Sequence, residues 1–190
     1  MKRLITTSLL LVALATLLAA QSLSARLDGD QLRIAAPRLH VLVGESLNRL
    51  RDGATVKYEF QLTARTDRNG RVLARTQQQF AISYDLWEEK FAVTKLGSSP
   101  RAISHLSAAA AEAWCVDNIS VPSSALSAAE PFWIRLDYRV ADPAASADPP
   151  DNSGFTLSGL IDIFSRRTRT EQLRGSEEVG PLRLENLKRK

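Results

Sequence analysis

The sequence predicts an α+β fold that is mainly antiparallel β, with a long central hairpin (residues 54–87) and covering helices; a β-sandwich is the alternative. Apolar and polar residues alternate from Ala54 to Arg65, a period of two that is typical of a strand with one buried face. A second alternation, ending at Tyr84, follows the turn residues Asp67-Arg68-Asn69-Gly70. A third runs from Phe132 to Val140, and together the three predict an antiparallel sheet.

A three-residue loop over Arg68-Asn69-Gly70 aligns the apolar residues of the hairpin best. A two-residue loop at Asn69-Gly70 would set the apolar face of one strand against the polar face of the other, because a shift of one residue turns every side chain over. The three-residue loop pairs Val56 with Ile82, Tyr58 with Phe80 and Ala64 with Ala74, and leaves Phe60 opposite Gln78. Gly70 is expected in the left-handed region that such loops need at their last position.

The N-terminus has the composition of a secretory signal peptide, assigned to residues 1–25. Met1-Lys2-Arg3 is basic, residues 4–20 carry no charge, and small residues follow. Cleavage is expected after Ser22 or Ala25, with an uncleaved membrane anchor as the alternative. Either interpretation predicts an exported protein, periplasmic or secreted, that is membrane-anchored if the segment stays attached.

Composition narrows the class of protein further. The formal net charge is +4, and removing Lys2 and Arg3 leaves +2, without the clustered basic and aromatic residues of a nucleic-acid-binding surface. Nucleic acid is therefore not an expected partner. Cys115 is the single cysteine, so an internal disulfide is excluded and stability must come from the hydrophobic core.

The remaining elements of the main domain, residues 26–141, follow from shorter patterns. Residues 31–35 predict a strand, and apolar residues at helical spacing over 39–50 predict a helix that Asp52-Gly53 ends. A strand from Phe91 is expected to pair Phe91 with Leu86 and Val93 with Tyr84. Ser99 and Pro100 predict the start of a helix that extends to Trp114 and covers the sheet.

The C-terminal part divides into a Pro-rich linker, residues 142–154, and an amphipathic helix with a basic tail, residues 155–190. The helix is marked by an apolar stripe, and four arginines follow it: Leu157, Leu160, Ile161 and Phe164, then Arg166, Arg167, Arg169 and Arg174. Docking on the domain or on a partner is favoured over peripheral membrane contact through 156–174, since the stripe is short and lacks Trp. Beyond the helix, the tail offers Val179, Leu182, Leu184 and Leu187 as docking points.

Over roughly residues 31–141 the sequence resembles a family of small exported bacterial proteins known as a domain of unknown function. The matching features are Leu47-x-x-Leu50-x-Asp52-Gly53, Val56-x-Tyr58-x-Phe60, Tyr84-x-x-Trp87-x-x-Lys90-Phe91-x-Val93, a Ser/Ala-rich helix, and Phe132-Trp133-Ile134-Arg135-Leu136-Asp137. The resemblance implies a location in the cell envelope and a sensing partner there. It implies no reaction and no catalytic residue.

Residues able to carry chemistry are few, and the sequence predicts neither an enzyme nor a cofactor. His40 and His105 have no second His or Cys at helical spacing, so a metal site is not expected. Cys115 follows an apolar stripe and is interpreted as a small buried residue rather than a nucleophile. Glu88 and Glu89 are neighbouring acids on a turn, where solvated charges are commoner than a catalytic pair.

Trp87 and Trp133 are the candidate binding residues, because both occupy polar-face positions where an aromatic side chain would be exposed. If they share a face, they form a patch for contact with a protein partner. The leading hypothesis is therefore a non-enzymatic envelope protein that binds another protein, with a scaffolding or sensing role. The alternative is a module that holds an apolar or lipid-like ligand between the hairpin and the 99–114 helix.

Overall fold

A computed structural model of the chain describes residues 23–141 and 173–187. The predicted linker and the predicted stripe Leu157, Leu160, Ile161 and Phe164 lie outside the described residues. So does most of the predicted signal peptide.

Two antiparallel sheets and two helices make up the described fold. In chain order the elements are β1 (Ser24–Asp28), β2 (Gln31–Ala35), α1 (Gly44–Arg51), β3 (Val56–Arg65), β4 (Val72–Asp85), β5 (Lys90–Lys95), β6 (Arg101–Leu106), α2 (Ala108–Asp117), β7 (Ser120–Pro122), β8 (Phe132–Val140) and β9 (Arg174–Leu182). The larger sheet has the order β6-β5-β4-β3-β8-β9, and the smaller has the order β1-β2-β7. The predicted α+β class with mainly antiparallel strands is confirmed.

The long hairpin β3–β4 has the predicted register along most of its length. Val56 pairs with Ile82, Tyr58 with Phe80, Phe60 with Gln78, and Ala64 with Ala74. A bulge then shifts the register, so that Arg65 pairs with Val72. The N–H of Thr66 donates to the carbonyl of Arg71, and the four residues 67–70 form the turn. The left-handed conformation predicted for Gly70 is wrong. Glycine is needed for space instead, because a Cβ at this position would lie 2.3 Å from the hydroxyl of Thr66.

The inner face of the larger sheet is covered by the two helices and the smaller sheet. Every second residue of β3 from Val56 to Ala64 is buried there, together with inner-face residues of β4, β5 and β8. The side chains from the covering layer include Leu32, Ile34, Leu50, Cys115 and Val121. One continuous core therefore lies between the two layers, as the period-two pattern requires.

The first helix is shorter than predicted. It begins at Gly44, not near Leu39, although Leu39, Val41 and Leu42 are all buried. The predicted end is confirmed: Gly53 has φ +84°, and the N–H groups of Gly53 and Ala54 donate to carbonyls of the last helical turn. The apolar spacing before Gly44 thus belongs to a buried loop rather than to the helix.

The predicted helix over 99–114 is wrong in its first half. Residues Arg101–Leu106 form strand β6, and α2 starts only at Ala108. Ser107 is the N-cap, and its hydroxyl accepts a hydrogen bond from the N–H of Ala110 at 3.3 Å. The N-cap is therefore Ser107, directly before a run of alanines, and not the predicted Ser99.

Two further expectations differ from the structure. The β4–β5 register pairs Tyr84 with Phe91 and Ile82 with Val93, which is two residues away from the prediction but keeps the same face inward. Residues Arg174–Leu182, predicted to lie within the terminal helix and basic tail, form edge strand β9 beside β8. Val179, Leu182, Leu184 and Leu187 pack against the core, so this part of the chain belongs to the domain.

The folded unit also begins earlier than residue 26. Strand β1 starts at Ser24 and pairs with β2 from Ser24 opposite Ala35 onward. Leu23 is only 1 % exposed and belongs to the hydrophobic core. The three residues between the two predicted cleavage positions are therefore part of the fold.

Candidate functional site

The turn between β4 and β5 is held by the carboxylate of Asp85. Its Oδ1 accepts hydrogen bonds from the backbone N–H groups of Trp87 at 2.8 Å and of Glu88 at 3.1 Å. These two bonds, first that from Glu88 and then that from Trp87, lower the pKa of Asp85, since they favour its ionised form. At neutral pH the carboxylate is charged, and the turn has a defined shape.

This turn projects two large apolar side chains into solvent. Trp87 is 96 % exposed, and Leu86 beside it is also exposed. The exposure of Trp87 agrees with its position in the alternation. The hydrogen bonds to Asp85 order the backbone of the turn, so Trp87 lies on a preorganised loop. Binding of a partner to Trp87 would therefore cost little backbone entropy.

Strand β6, next to the turn, is the exposed edge of the larger sheet. Within the described residues it pairs with β5 alone, and five of its six residues are exposed, including Ile103. The opposite edge, β9, carries Glu177, Glu178 and the Gly180-Pro181 pair, which hinder the addition of another strand. By contrast, the middle of β6, Ala102-Ile103-Ser104, has neither charge nor proline. We call Leu86, Trp87 and strand β6 the tip–edge surface.

A side-chain contact between His105 and Glu88 joins the turn to the end of β6. His105 Nε2 lies 3.0 Å from Glu88 Oε2, and His105 Nδ1 lies 2.8 Å from the hydroxyl of Ser104. His105 was expected on a helix but lies in β6, with φ +63° at a bulge. The order Ser–His–Glu resembles a catalytic triad. However, the side chains of His105 and Glu88 are both more than half exposed, so water competes for their hydrogen bonds. We therefore interpret these three residues as a contact that holds the turn against strand β6.

Trp133 does not share a patch with Trp87. Trp133 pairs with Arg65, and Arg65 pairs with Val72, so Trp133 lies level with the start of β4. Trp87 follows the other end of β4, which is 14 residues long. At roughly 3.3 Å per residue the two tryptophans are about 40 Å apart along the sheet. The ring of Trp133 is also used within the molecule, because the Arg68 guanidinium lies 4.7 Å from its centroid and the Gly180 backbone packs against it.

Cys115 and His40 lie outside the tip–edge surface. Cys115 is fully buried in α2, and burial raises the pKa of its thiol to about 12, so it stays uncharged. His40 is exposed, with Nδ1 3.8 Å from Glu112 Oε2. Within 23–141 and 173–187 no group of three His, Cys, Asp or Glu side chains could hold a metal ion. No helix in these ranges is long and apolar enough to cross a membrane.

The layer proposed for an apolar ligand is occupied by side chains. Phe80 contacts Trp114 edge to face with 6.0 Å between ring centroids, and Ala111 and Cys115 are buried beside the sheet. Ala111 is the buried alanine of α2, whereas Ala109, Ala110 and Ala113 are exposed, so most of these alanines face solvent and do not line a ligand space.

The sequence did not point to β6 as part of a surface. The clearest available signal was Ser107 followed by four alanines, which places the helix start late and frees residues 101–106 for a strand. The apolar exposure of Ile103 and Leu86 has no sequence signature, because a single apolar residue at a strand edge can face either way.

Searches against protein-family models, functionally described proteins and solved structures found no match.

Proposed function

We propose that this chain is an exported bacterial envelope protein that binds another envelope protein without catalysing a reaction. The binding element is the tip–edge surface, and the occupant is an extended segment of the partner that adds a strand beside β6. The observation that carries the proposal is an exposed edge strand next to a 96 % exposed tryptophan on an ordered turn. Strand addition uses the unpaired backbone groups of an edge for affinity and neighbouring side chains for specificity.

The charges around the surface specify the partner segment. Asp85, Glu88 and Glu89 make the turn end acidic, whereas Arg101 makes the other end of β6 basic. A segment with a basic residue near the turn and an acidic residue near Arg101 therefore complements the surface. An apolar residue of the same segment would pack on Trp87, which fits the enrichment of tryptophan among residues that dominate binding energy.

Photo-crosslinking from β6 in whole cells tests the proposal. A crosslinking amino acid at position 102 or 104 of the full chain should join one envelope protein at neighbouring positions of one extended segment. A synthetic peptide of that segment should bind the wild-type protein, and Trp87→Ala should weaken it by about 30-fold or more, as expected for loss of a dominant aromatic contact. Val72→Ala is the matched control, since Val72 is an exposed apolar residue at the other end of β4.

Three outcomes would contradict this assignment. Crosslinks scattered over many proteins would show a sticky edge rather than a site. Crosslinks to a second copy of this chain would indicate that β6 mediates self-association rather than binding to another envelope protein. Equal affinity of the peptide for the Trp87→Ala and Val72→Ala proteins would show that the turn does not contribute to binding. Because Trp87 is exposed, the Trp87→Ala protein should keep its wild-type melting temperature, so lost binding cannot be attributed to unfolding.

Export is tested by the intact mass of the protein from its own envelope. We expect the chain to begin at Leu23, because cleavage after Ala25 would remove buried Leu23 and two residues of β1 that pair with β2. A mass beginning at Arg26 would contradict the inference drawn from the fold. A mass that includes residues 4–20 would contradict cleavage and indicate an anchored protein.

A further inference from the structure

The outer face of the larger sheet carries an excess of positive charge. On β3, β8, β9 and residues 72–79 of β4, the register places six basic and three acidic side chains on this face. The basic residues are Lys57, Arg65, Arg75, Arg135, Arg139 and Arg174, and the acidic ones are Glu59, Asp137 and Glu178. Residues 26–154 as a whole are near neutral, so the excess is local to this face.

Three of the arginines surround one small residue, Thr63. Arg75 on β4 and Arg135 on β8 are its direct cross-strand neighbours, and Arg65 is the next outer-face residue of β3. Such neighbours have Cβ atoms about 4.5–5.5 Å apart across strands. Thr63 is 0 % exposed although it lies on the solvent side of the sheet. Longer side chains around it therefore cover it, and the Nε2 of Gln61 lies 3.5 Å from its hydroxyl.

The charge of this cluster is only partly compensated. Arg135 Nε lies 2.8 Å from Asp137 Oδ1. Among the described residues, Arg65 and Arg75 have no carboxylate within the 4.0 Å of an ion pair. In addition, Arg65 Nε is buried and has no hydrogen-bond partner within the described part of the chain. Arg75 and Arg135 lie two strand spacings apart, about 10 Å, on either side of Thr63. A buried donor without an acceptor costs free energy, so the unpaired Arg65 Nε favours an added anion.

We propose that Arg65, Arg75 and Arg135 form a binding site for a phosphate-type oxyanion on the outer face of the sheet. Guanidinium groups present paired N–H donors that match the oxygen spacing of phosphate. Three of them occupy positions around Thr63 here, with Asp137 and Glu178 as the nearby carboxylates. The ligand is either free phosphate or the headgroup of a phospholipid, which share this chemistry. The site is separate from the tip–edge surface and does not depend on the proposed function.

Calorimetric titration of the protein with inorganic phosphate, at ionic strength held constant with chloride, measures the site directly. We expect Arg75→Gln and Arg135→Gln each to weaken phosphate binding about tenfold, the loss of one charge-assisted contact. Lys57→Gln is the control: it removes one charge from the same face about 20 Å along β3, and binding should stay within about twofold of wild type.

Sedimentation with lipid vesicles distinguishes the two possible ligands, a phospholipid headgroup and free phosphate. Binding to phosphatidylglycerol vesicles but not to phosphatidylcholine vesicles, lost in Arg75→Gln, identifies a lipid headgroup. Binding of inorganic phosphate without vesicle binding identifies the free anion. If phosphate binds no more weakly to Arg75→Gln than to Lys57→Gln, or if neither phosphate nor vesicles bind to the wild-type protein, the proposal is wrong.

Discussion

Replacing Phe80 with Ala should lower the free energy of unfolding by about 3–5 kcal/mol, the usual cost of removing a buried phenyl ring. Phe80 is fully buried at the centre of the inner face. Its ring meets Phe60 edge to face at 5.6 Å and Trp114 at 6.0 Å between centroids, so it joins the central hairpin to α2. Both contacts and the burial are lost together in the variant. Urea unfolding followed by tryptophan fluorescence measures the change.

The control for Phe80 lies on the same strand. Gln77 is exposed on the outer face, and Gln77→Ala should change the stability by less than about 0.5 kcal/mol. A register shifted by one residue would turn Phe80 outward and Gln77 inward. Comparable losses in the two variants would therefore contradict the hairpin register as well as the role of Phe80.

The hairpin could be predicted because one register pairs most of the apolar residues of β3 with apolar residues of β4, although Phe60 still faces Gln78. The pairs of Val56 with Ile82 and of Tyr58 with Phe80 admit one register, and the structure has it. The turn is different, because no burial constrains it. There the bulge after Ala64 changed the loop from three residues to four, and Gly70 serves to avoid a clash with Thr66 rather than to adopt a positive φ.

Edge strands were harder to predict than central ones for a physical reason. A central strand is covered on one face along its whole length, whereas β6 is exposed almost throughout and β9 has Glu177 and Glu178 in its middle. Neither shows a sustained period of two. Each is defined by backbone pairing with a neighbour, to β5 and β8, which a sequence pattern does not reveal.

The two surfaces, like the edge strands, depend on how strands pair, which a sequence pattern does not reveal. Trp87 could be predicted as exposed because it follows an alternating strand, but its distance from Trp133 depends on the direction in which β4 and β8 run. The arginine cluster likewise combines residues from three strands. Arg75 and Arg135 are 60 positions apart in the sequence, and only the shared neighbour Thr63 brings them together.

Glu112→Leu should destabilise the protein by about 2–4 kcal/mol even though leucine is apolar and similar in size. Glu112 lies on α2 and is buried, and its Oε1 accepts hydrogen bonds from the backbone N–H groups of Val41 at 2.7 Å and Leu42 at 2.9 Å. These residues belong to the buried loop before α1, which has no strand or helix to pair its backbone. Leucine would leave both donors buried without an acceptor.

Glu112→Gln separates the loss of hydrogen bonds from the loss of charge. Both N–H groups donate to a single oxygen, so the amide oxygen of glutamine can accept both, and most of the stability should remain. Glu130→Leu, at an exposed position, is the control for the side chain itself. Hydrogen exchange at Val41 and Leu42 should become much faster in Glu112→Leu and change little in Glu112→Gln. Equal destabilisation by leucine and glutamine would mean that the buried charge, rather than the two hydrogen bonds, holds this loop against α2.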